Sequence, residues 1–350
     1  MIKPNFENLK KALLRQGQPE SVPCWELFAD KEVMEKVMGE KFDSWDTSES
    51  QKRYIRQILG YQLKMGYDYL AADVCIPTET RSDILADDTA MYTKGQRSWV
   101  DDHNGLIQNW DDFEKYPWPS TSEIDYTMIE TASRIVPEGM KVMLRTSGVL
   151  ENVQWLMGYE RMSYALFDEP ELVTALFERI GSLLEHIYRS AAEIENVSLF
   201  AMGDDMGFKT STLFSPDVLR EHVFPWQKKC VEAAHSSGGV FIMHSCGNLD
   251  SIMDDLIDDV EIDAKHSFED VIQPVEEVKK LYGQRVALIG GVDIDLLSRG
   301  TEEDVRKRTR QILEACVPGG GYVAGTGNSV ANYISLQNFL AMMDEVRAYR

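Results

Sequence analysis

A histidine and a cysteine stand two positions apart at the end of a short apolar run, and both side chains can bind a metal ion. The run 240–243 is continuous, apolar and too short for a helix, which predicts a buried strand. His244 and Cys246 follow it, and in extended chain their side chains leave the same face. An imidazole nitrogen beside a thiolate forms part of a zinc site, but a catalytic zinc takes three protein ligands. A packed histidine and a buried free cysteine are the alternative interpretation of this pair.

The elements that must position this pair follow from the pattern of the whole chain. Strand-like runs separated by helical patterns occupy residues 22–28, 67–74, 141–145, 197–202, 240–244, 261–265, 286–290 and 321–324. Strands that alternate with helices indicate a parallel sheet, and eight such units in 350 residues predict an α/β fold, a closed (β/α)8 TIM barrel. Because no internal repeat or low-complexity linker interrupts the chain, we expect a single domain over residues 1–350.

Two segments lie outside the alternation. Residues 1–17 predict an N-terminal helix that covers the barrel. Residues 75–118 form a long insertion after the second strand, with hairpin-like alternation in 98–101 and 106–108. Loops of this length are uncommon unless they are functional, and in a barrel this one would hang over the active-site mouth. A substrate lid and a structural embellishment are equally favoured interpretations.

Polar residues follow nearly every predicted strand. Active sites of such barrels lie at the carboxyl ends of the strands, so these side chains should converge. In chain order they are Glu26, Asp73, Arg145, Ser147, Asp204, Asp205, His244, Cys246, His266, Asp293 and Asn328. Glycines recur just after them, and glycine permits close approach of backbone to a ligand. We therefore expect the active site at this end of the barrel.

Composition and charge exclude several classes of partner. A formal net charge of -22 and a pI near 4.7 argue against nucleic acid and anionic membranes as partners. The 5 cysteines are dispersed, which fits a reducing cytoplasm better than a disulfide framework. No run approaches the ~18 apolar residues of a membrane span, and the first residues carry no signal pattern. We expect a cytoplasmic enzyme, for which a homodimer remains open.

Five segments resemble the uroporphyrinogen decarboxylase superfamily, which includes the cobalamin-dependent methyltransferases. They are 156–160 (LMGYE), 203–207 (GDDMG), 244–248 (HSCGN), 290–293 (GGVD) and 318–322 (PGGGY). Their order is specific, and together they span most of the chain from about Gly148 onward, whereas the N-terminal third matches loosely. The resemblance implies a single (β/α)8 barrel, in agreement with the strand pattern.

Within the superfamily, one segment helps to choose the chemistry. Porphyrin-pathway decarboxylases carry an arginine-rich segment of the type MRQAGR, which grips the carboxylates of the substrate. The corresponding residues 22–28 (VPCWELF) contain no arginine, the residue that binds carboxylates bidentately. The resemblance therefore favours the methyltransferase branch, whose members use the histidine and cysteine matching His244 and Cys246 as zinc ligands.

The chain departs from the thiol-methylating members of that branch. Their further C-terminal cysteine is missing from the matching segment 324–329 (AGTGNS), and Cys316 precedes the last strand, at the wrong end of the barrel. The candidates for a third ligand are Glu151, Asp204, Asp205, His266 and Asn328. Losing a thiolate makes zinc more Lewis acidic, which suits polarising an ether or hydroxyl oxygen.

The resemblance, together with these departures, implies a zinc-dependent methyltransferase that moves a methyl group from a small, O-methylated substrate to a corrinoid protein. A partner would carry the corrinoid (cobalamin), because the chain lacks a D-x-H-x-x-G motif. The predicted metal ligands are His244 and Cys246, and the predicted catalytic residues are Asp205, Asp204 and His266. The predicted substrate-binding residues are Glu26, Asp73, Arg145, Glu151, Asn328 and Tyr333. For the two aspartates, a barrel-end hydrogen-bond network is the alternative.

Two other classes remain open. A carboxy-lyase like the decarboxylases, or another metal-free acid–base enzyme on the same barrel, would tolerate serine at Cys246 and be insensitive to chelators. A catalytically inactive binding protein would hold no metal and turn over no substrate.

Overall fold

The computed structural model describes residues 3–79 and 105–349, with the backbone of two short strands between them. In these parts of the chain the strands are β1 (Tyr69–Asp73), β2 (Ile84–Asp87), β3 (Gln96–Trp99), β4 (Lys141–Ser147), β5 (Val197–Gly203), β6 (Val240–His244), β7 (Ala264–His266), β8 (Ala287–Ile289) and β9 (Tyr322–Val323).

Helices surround the strands. They are α1 (Phe6–Leu13), α2 (Lys31–Met38), α3 (Ser48–Met65), α4 (Trp110–Lys115), α5 (Thr127–Ile135), α6 (Val149–Met157), α7 (Tyr159–Asp168), α8 (Pro170–Ala192), α9 (Pro216–Val218), α10 (Phe224–Ser236), α11 (Met253–Asp258), α12 (Val275–Tyr282), α13 (Ile294–Arg299), α14 (Glu302–Cys316) and α15 (Leu336–Ala348). A 3₁₀ turn lies at Thr121–Glu123 and a π-helical turn at Leu219–Val223. None of the helices described is long and apolar enough to cross a bilayer.

Seven strands form one parallel sheet in the order β1-β4-β5-β6-β7-β8-β9. Its strands are apolar and almost wholly buried, as expected of a parallel sheet covered by helices. Gly203 pairs with His244 and His244 with His266, so the carboxyl ends of β5, β6 and β7 lie side by side. The predicted TIM-barrel-like α/β fold is confirmed.

The first predicted strand is the exception. Residues 22–28 form no strand; they make a single parallel bridge from Cys24 to Ala324, beside β9. Trp25 N donates to Ala324 O at 2.9 Å, and Ala324 N donates to Pro23 O at 2.9 Å. The segment therefore takes the eighth position of the barrel without extending the ladder, and the prediction of a strand there was wrong.

Side chains bridge the seam between this segment and β1. The Tyr69 hydroxyl accepts from Glu26 N at 2.9 Å and donates to Glu26 O at 2.8 Å. On α3, Gln62 Oε1 accepts from Ala71 N at 3.1 Å, which satisfies an amide that a neighbouring strand would otherwise pair. The barrel is thus held together at this seam by tyrosine and glutamine side chains.

Helix α1 closes the amino end of the barrel, which confirms the predicted N-terminal extension. Its residues contact the chain just before β4 and β6: Phe6 N donates to Gly139 O at 2.8 Å, and Lys10 Nζ donates to Gly238 O at 3.0 Å. Leu9 and Leu13 of this helix are fully buried. Because the amino end is covered, ligands have access to the opposite end.

The insertion after β1 contains a hairpin, but not the one predicted. Strands β2 and β3 pair in antiparallel fashion, with Ile84 opposite Trp99. Residues 106–108 are not a strand: Ile107 N donates to Leu156 O at 2.9 Å, which ties this stretch to the end of α6. Residues 100 and 101 lie outside the described part of the chain, and the lid role of the insertion stays a prediction.

Candidate functional site

Three donor groups meet at the carboxyl ends of β5 and β6. The ligand atoms of Asp205, His244 and Cys246 all lie within 4.8 Å of one another. Cys246 Sγ is 3.5 Å from His244 Nε2, and Asp205 Oδ1 is 3.6 Å from the same nitrogen. The Cys246 backbone N–H donates to Asp205 Oδ1 at 2.8 Å, which fixes that carboxylate. We refer to these three residues as the triad.

The loops that carry the triad cross at two glycines. Gly247 has a left-handed backbone with φ of +82°, and a Cβ added there would lie 2.3 Å from the carbonyl carbon of Gly207. Only glycine accommodates both the conformation and this approach. The glycines that follow the polar residues therefore let the β5 and β6 loops touch, which brings Asp205 to Cys246.

A chain of hydrogen bonds orients the His244 ring. His266 Nε2 lies 3.1 Å from Thr326 O, which can only accept, so that nitrogen carries the proton. His266 Nδ1 is then the acceptor of its 2.8 Å contact with His244 Nδ1, which must be the protonated nitrogen. His244 Nε2 is left with its lone pair directed at the other two triad residues. This tautomer follows from the network and is the one a metal requires.

Burial controls the charge of the triad. Desolvation, followed by the nearby Lys265, lowers the pKa of His244 to about 3, so the imidazole is neutral at neutral pH. Burial and the Asp205 carboxylate raise the pKa of the Cys246 thiol. A bound cation would reverse this tendency, because a coordinating thiol is deprotonated. One neutral imidazole, one thiol and one carboxylate form a donor set that fits zinc.

Asn328, in the loop after β9, and Glu26, in the segment 22–28, support the triad. Asn328 Nδ2 donates to Cys246 Sγ at 3.2 Å. Thr326 Oγ1 contacts both Glu26 Oε2 and Asn328 O, and Thr326 N donates to Glu26 Oε1 at 2.9 Å. Burial raises the pKa of Glu26 to about 8, so a protonated Glu26 can supply the proton that one hydroxyl cannot give to two acceptors. Glu26 thus holds the loop that carries Asn328.

Asp204 occupies a different environment from its neighbour Asp205. It is fully buried, and its carboxylate accepts from the amides of Val149 and Glu151 at 3.1 and 3.0 Å and from Gln227 Nε2 at 2.8 Å. These contacts cap the amino end of α6, where an acid also complements the helix dipole. These contacts are those of a positioning residue, as in the hydrogen-bond network that was the alternative for the two aspartates, and the catalytic role predicted from sequence stays a prediction.

His266 is also a positioning residue in this structure. Its ring is fully buried between His244 and Trp25, whose ring centroid lies 4.9 Å away in an edge-on arrangement. Burial, and then His244, lowers its pKa well below the usual histidine range. The catalytic role that the sequence predicted for His266 stays a prediction.

Glu151 projects from the first turn of α6 towards the triad. Burial, then Asp205 and Asp204, raises the pKa of its carboxyl well above the usual range. The backbone amide of Asp205 is among the groups that hydrogen-bond it. A carboxylic acid that retains its proton beside a candidate ligand can donate that proton during a reaction.

The other predicted substrate-binding residues divide between two cavities. Asn328 and Tyr333 line a cleft of about 1210 Å³ at the carboxyl ends of β7 to β9. Glu26 and Arg145 line a second cavity of about 700 Å³ at the seam with β1. Arg145 is paired bidentately with Asp73 at 2.5 and 2.7 Å, so the two satisfy each other.

Sequence reasoning missed Lys265. Its side chain is buried, with Nζ donating to Ser267 O and lying 4.1 Å from the centre of the Phe268 ring. Burial lowers its pKa to about 8, and its charge disfavours protonation of His244. A lysine inside the predicted strand 261–265 was the available signal, because buried lysines are rare.

Comparisons with known proteins agree with this architecture. The family model described as Uroporphyrinogen decarboxylase (URO-D) matches residues 103–349. The uroporphyrinogen decarboxylase of Anaeromyxobacter dehalogenans (strain 2CP-C) is 26% identical over 200 residues, which are 55% of this chain and 52% of that protein. The chain thus matches about half the length of this curated relative.

Solved structures extend the likeness over the full chain. The methyltransferase from Methanosarcina mazei has a TM-score of 0.71 at 16% identity and covers 98% of each chain. The putative vitamin-B12 independent methionine synthase from Listeria monocytogenes has a TM-score of 0.51 at 10% identity and covers 100% of each. At such identities the likeness is one of fold.

Proposed function

The chain belongs to the uroporphyrinogen decarboxylase family, and we propose that it is a zinc-dependent methyltransferase that moves a methyl group from a small O-methylated substrate to a corrinoid protein. The triad is the observation that carries this proposal, because it brings nitrogen, sulfur and oxygen donors within 4.8 Å. Asp205, predicted from sequence as a catalytic group, here serves as the third ligand beside His244 and Cys246. Three protein ligands are the set that a catalytic zinc uses, with a further position for substrate.

The residues around the triad have distinct tasks in this mechanism. Zinc, when bound, supplies a Lewis acid that makes the substrate oxygen a better leaving group. His266 holds the His244 ring, and Asn328 orients the Cys246 sulfur by its 3.2 Å hydrogen bond. A corrinoid carried by a partner protein would supply the nucleophile that accepts the methyl group, so that the O–CH₃ bond would break as the methyl group leaves the oxygen. The oxygen keeps the electron pair of the broken bond and takes the proton that Glu151 holds.

A carboxy-lyase acting on a porphyrinogen is the second candidate, favoured by the description of the family and by the curated relative. The charge of the cleft argues against it. Among the described residues that line the cleft, the acids Asp30, Glu269, Asp270, Asp293 and Asp295 outnumber the one arginine, Arg299, even though Arg308 pairs with Asp270. A substrate with many carboxylates would be repelled there, because like charges in a shared site disfavour each other.

Metal analysis tests the site directly. We expect about one zinc per chain in the purified protein, as one catalytic site requires, and loss of zinc in Cys246→Ser. Cys75→Ser is the matched control, since Cys75 is an exposed free cysteine outside the triad, and it should retain zinc. Absence of zinc from the unmodified protein after supplementation, or its retention in Cys246→Ser, would contradict the assignment.

An activity assay tests the reaction. Cob(I)alamin would be incubated with the zinc-loaded protein and a panel of methyl ethers, and methylcobalamin formation followed by its absorbance. We expect methylation with at least one ether and its loss in Cys246→Ser or after chelation. Decarboxylation of uroporphyrinogen that survives chelation would favour the carboxy-lyase instead.

A further inference from the structure

Glu26 is a buried acid with no cation beside it. Its side chain is 4% exposed, and in the described part of the chain both carboxyl oxygens contact Thr326 and neither pairs with a lysine or arginine. Burial raises the pKa of Glu26 to about 8, although its hydrogen bonds with Thr326 act in the opposite direction. A buried acid without a counter-ion is costly to a fold, so such a group points to a functional site.

The position of Glu26 joins two separate parts of the barrel. Its backbone is fixed to β1, because the Tyr69 hydroxyl accepts from Glu26 N at 2.9 Å and donates to Glu26 O at 2.8 Å. Its carboxyl group reaches the loop after β9, where Oε1 accepts from Thr326 N at 2.9 Å and Oε2 contacts Thr326 Oγ1. Strand β1 therefore sets where the fully buried Thr326 lies.

The Thr326 carbonyl fixes the pair of histidines. It accepts from His266 Nε2 at 3.1 Å, which leaves His266 Nδ1 to accept from His244 Nδ1 at 2.8 Å. Without an acceptor at this place, either nitrogen of His266 could carry the proton. Glu26 therefore acts on His244 through Thr326 and His266.

The Thr326 hydroxyl supports the cysteine of the triad. It donates to Asn328 O at 2.6 Å, and Asn328 Nδ2 donates to Cys246 Sγ at 3.2 Å. One hydroxyl proton serves one acceptor, so the contact with Glu26 uses the proton of the carboxylic acid. One residue, held by Glu26, thus lies behind two members of the triad.

We propose that Glu26 is a positioning residue of the candidate zinc site and that it orients His244 and Cys246 together through Thr326. Because one side chain holds the origin of both hydrogen-bond chains, the tautomer of the imidazole and the direction of the thiol depend on each other. The inference rests on the proposed function for its purpose, whereas the tautomers of His244 and His266 are measurable whether or not zinc binds.

Two substitutions of nearly equal size separate hydrogen bonding from packing. Glutamine in Glu26→Gln can accept from Thr326 N and donate to Thr326 Oγ1, as the protonated acid does. Methionine in Glu26→Met fills the same space and can do neither. We expect the zinc affinity of the parent in Glu26→Gln, and in Glu26→Met a zinc dissociation constant about tenfold higher, as when a metal-binding histidine loses its outer partner.

Nitrogen-15 NMR of the histidine side chains in chelator-treated protein measures the tautomers directly. The chain has 6 histidines, and substitution of each in turn assigns the signals of His244 and His266. In the parent and in Glu26→Gln, we expect the proton on Nδ1 of His244 and on Nε2 of His266. In Glu26→Met, both rings should show a mixture of tautomers.

Thr326→Val provides a second test if Glu26→Met does not fold. It removes the hydroxyl at nearly constant size, so the support of Asn328 is lost and the zinc dissociation constant should rise. Thr326→Ser keeps the hydroxyl and should keep the zinc affinity of the parent. Equal affinities in these two variants would overturn the proposal.

Asp68→Leu is the matched control for Glu26→Met. Asp68 is also buried and accepts from a backbone amide, Asn5 N, at 2.7 Å, but it lies at the amino end of β1. Its substitution should leave both tautomers and the zinc affinity as in the parent. Tautomers in Glu26→Met that match the parent, or equal changes in Asp68→Leu, would overturn the proposal. Absence of zinc from the parent would contradict the proposed function alone, because the tautomers would still decide this inference.

Discussion

Replacing His266 by phenylalanine should weaken zinc binding without touching a ligand. His266 Nδ1 accepts a hydrogen bond from the protonated Nδ1 of His244 at 2.8 Å, and this contact leaves Nε2 of His244 free to bind the metal. Phenylalanine keeps a ring in the same buried space but cannot accept a hydrogen bond. The Nδ1–H of His244, whose side chain is almost fully buried, would lose its partner, and the competing tautomer with its proton on Nε2 would gain population.

The expected size follows from two independent considerations. Leaving one buried donor unsatisfied costs about 1–3 kcal/mol. Loss of the outer partner of a metal-binding histidine typically weakens metal affinity about 10- to 100-fold, which corresponds to about 1.4–2.8 kcal/mol. We therefore expect the zinc dissociation constant of His266→Phe to rise by about 10- to 100-fold.

Competition with a chromophoric chelator measures that constant. His222→Phe is the matched control, because His222 is also buried and stacked at 5.3 Å on a ring, that of Phe177, but it is not in the triad or its network. Its zinc affinity should equal that of the parent. An unchanged affinity in His266→Phe, or an equal loss in both variants, would refute the tautomer argument.

Three further substitutions test the surroundings of the site, each by urea unfolding. Asp204→Asn should lower the free energy of unfolding by about 1–3 kcal/mol, because the carboxylate that caps α6 loses its charge. The exposed control Asp217→Asn should change stability little. Unchanged stability with lost activity in Asp204→Asn would instead indicate a catalytic Asp204. Burial raises the pKa of Glu26 to about 8, so between about pH 5 and 8 the folded parent keeps a proton that the unfolded chain has released, and its free energy of unfolding falls as pH rises. Glu26→Gln has no such proton, so its stability relative to the parent should increase over this range. A difference in stability that does not depend on pH would contradict this. Gly148→Ala should be destabilising, because a Cβ there lies 2.1 Å from Asp204 Cγ, while Gly60→Ala, which meets only the tip of a methionine at 3.2 Å, should be neutral or stabilising.

The architecture could be read from local patterns to a large extent. Seven of the predicted strands appear within a few residues of their expected places, because strands buried on both faces are written as continuous apolar runs. The segment 22–28 has the same kind of composition, yet Pro23 lacks an amide donor and Tyr69 and Gln62 occupy the edge of β1 facing it. Whether an apolar segment pairs as a β-strand depends on the groups that lie beside it in the folded chain, and the composition of the segment does not specify those groups.

The candidate site shows the same division. The spacing of His244 and Cys246 is local, and the sequence by itself determined that both side chains point to one side of the barrel mouth. Adjacent aspartates cannot be told apart in this way, and only the tertiary structure decided that Asp205 joins the triad while Asp204 caps α6. The tautomer of His244 likewise depends on His266, which lies 22 positions away and is brought close by the register of β6 and β7. Residue type and spacing specify what a side chain can do, whereas partners distant in sequence, set by strand register and helix packing, specify what it does.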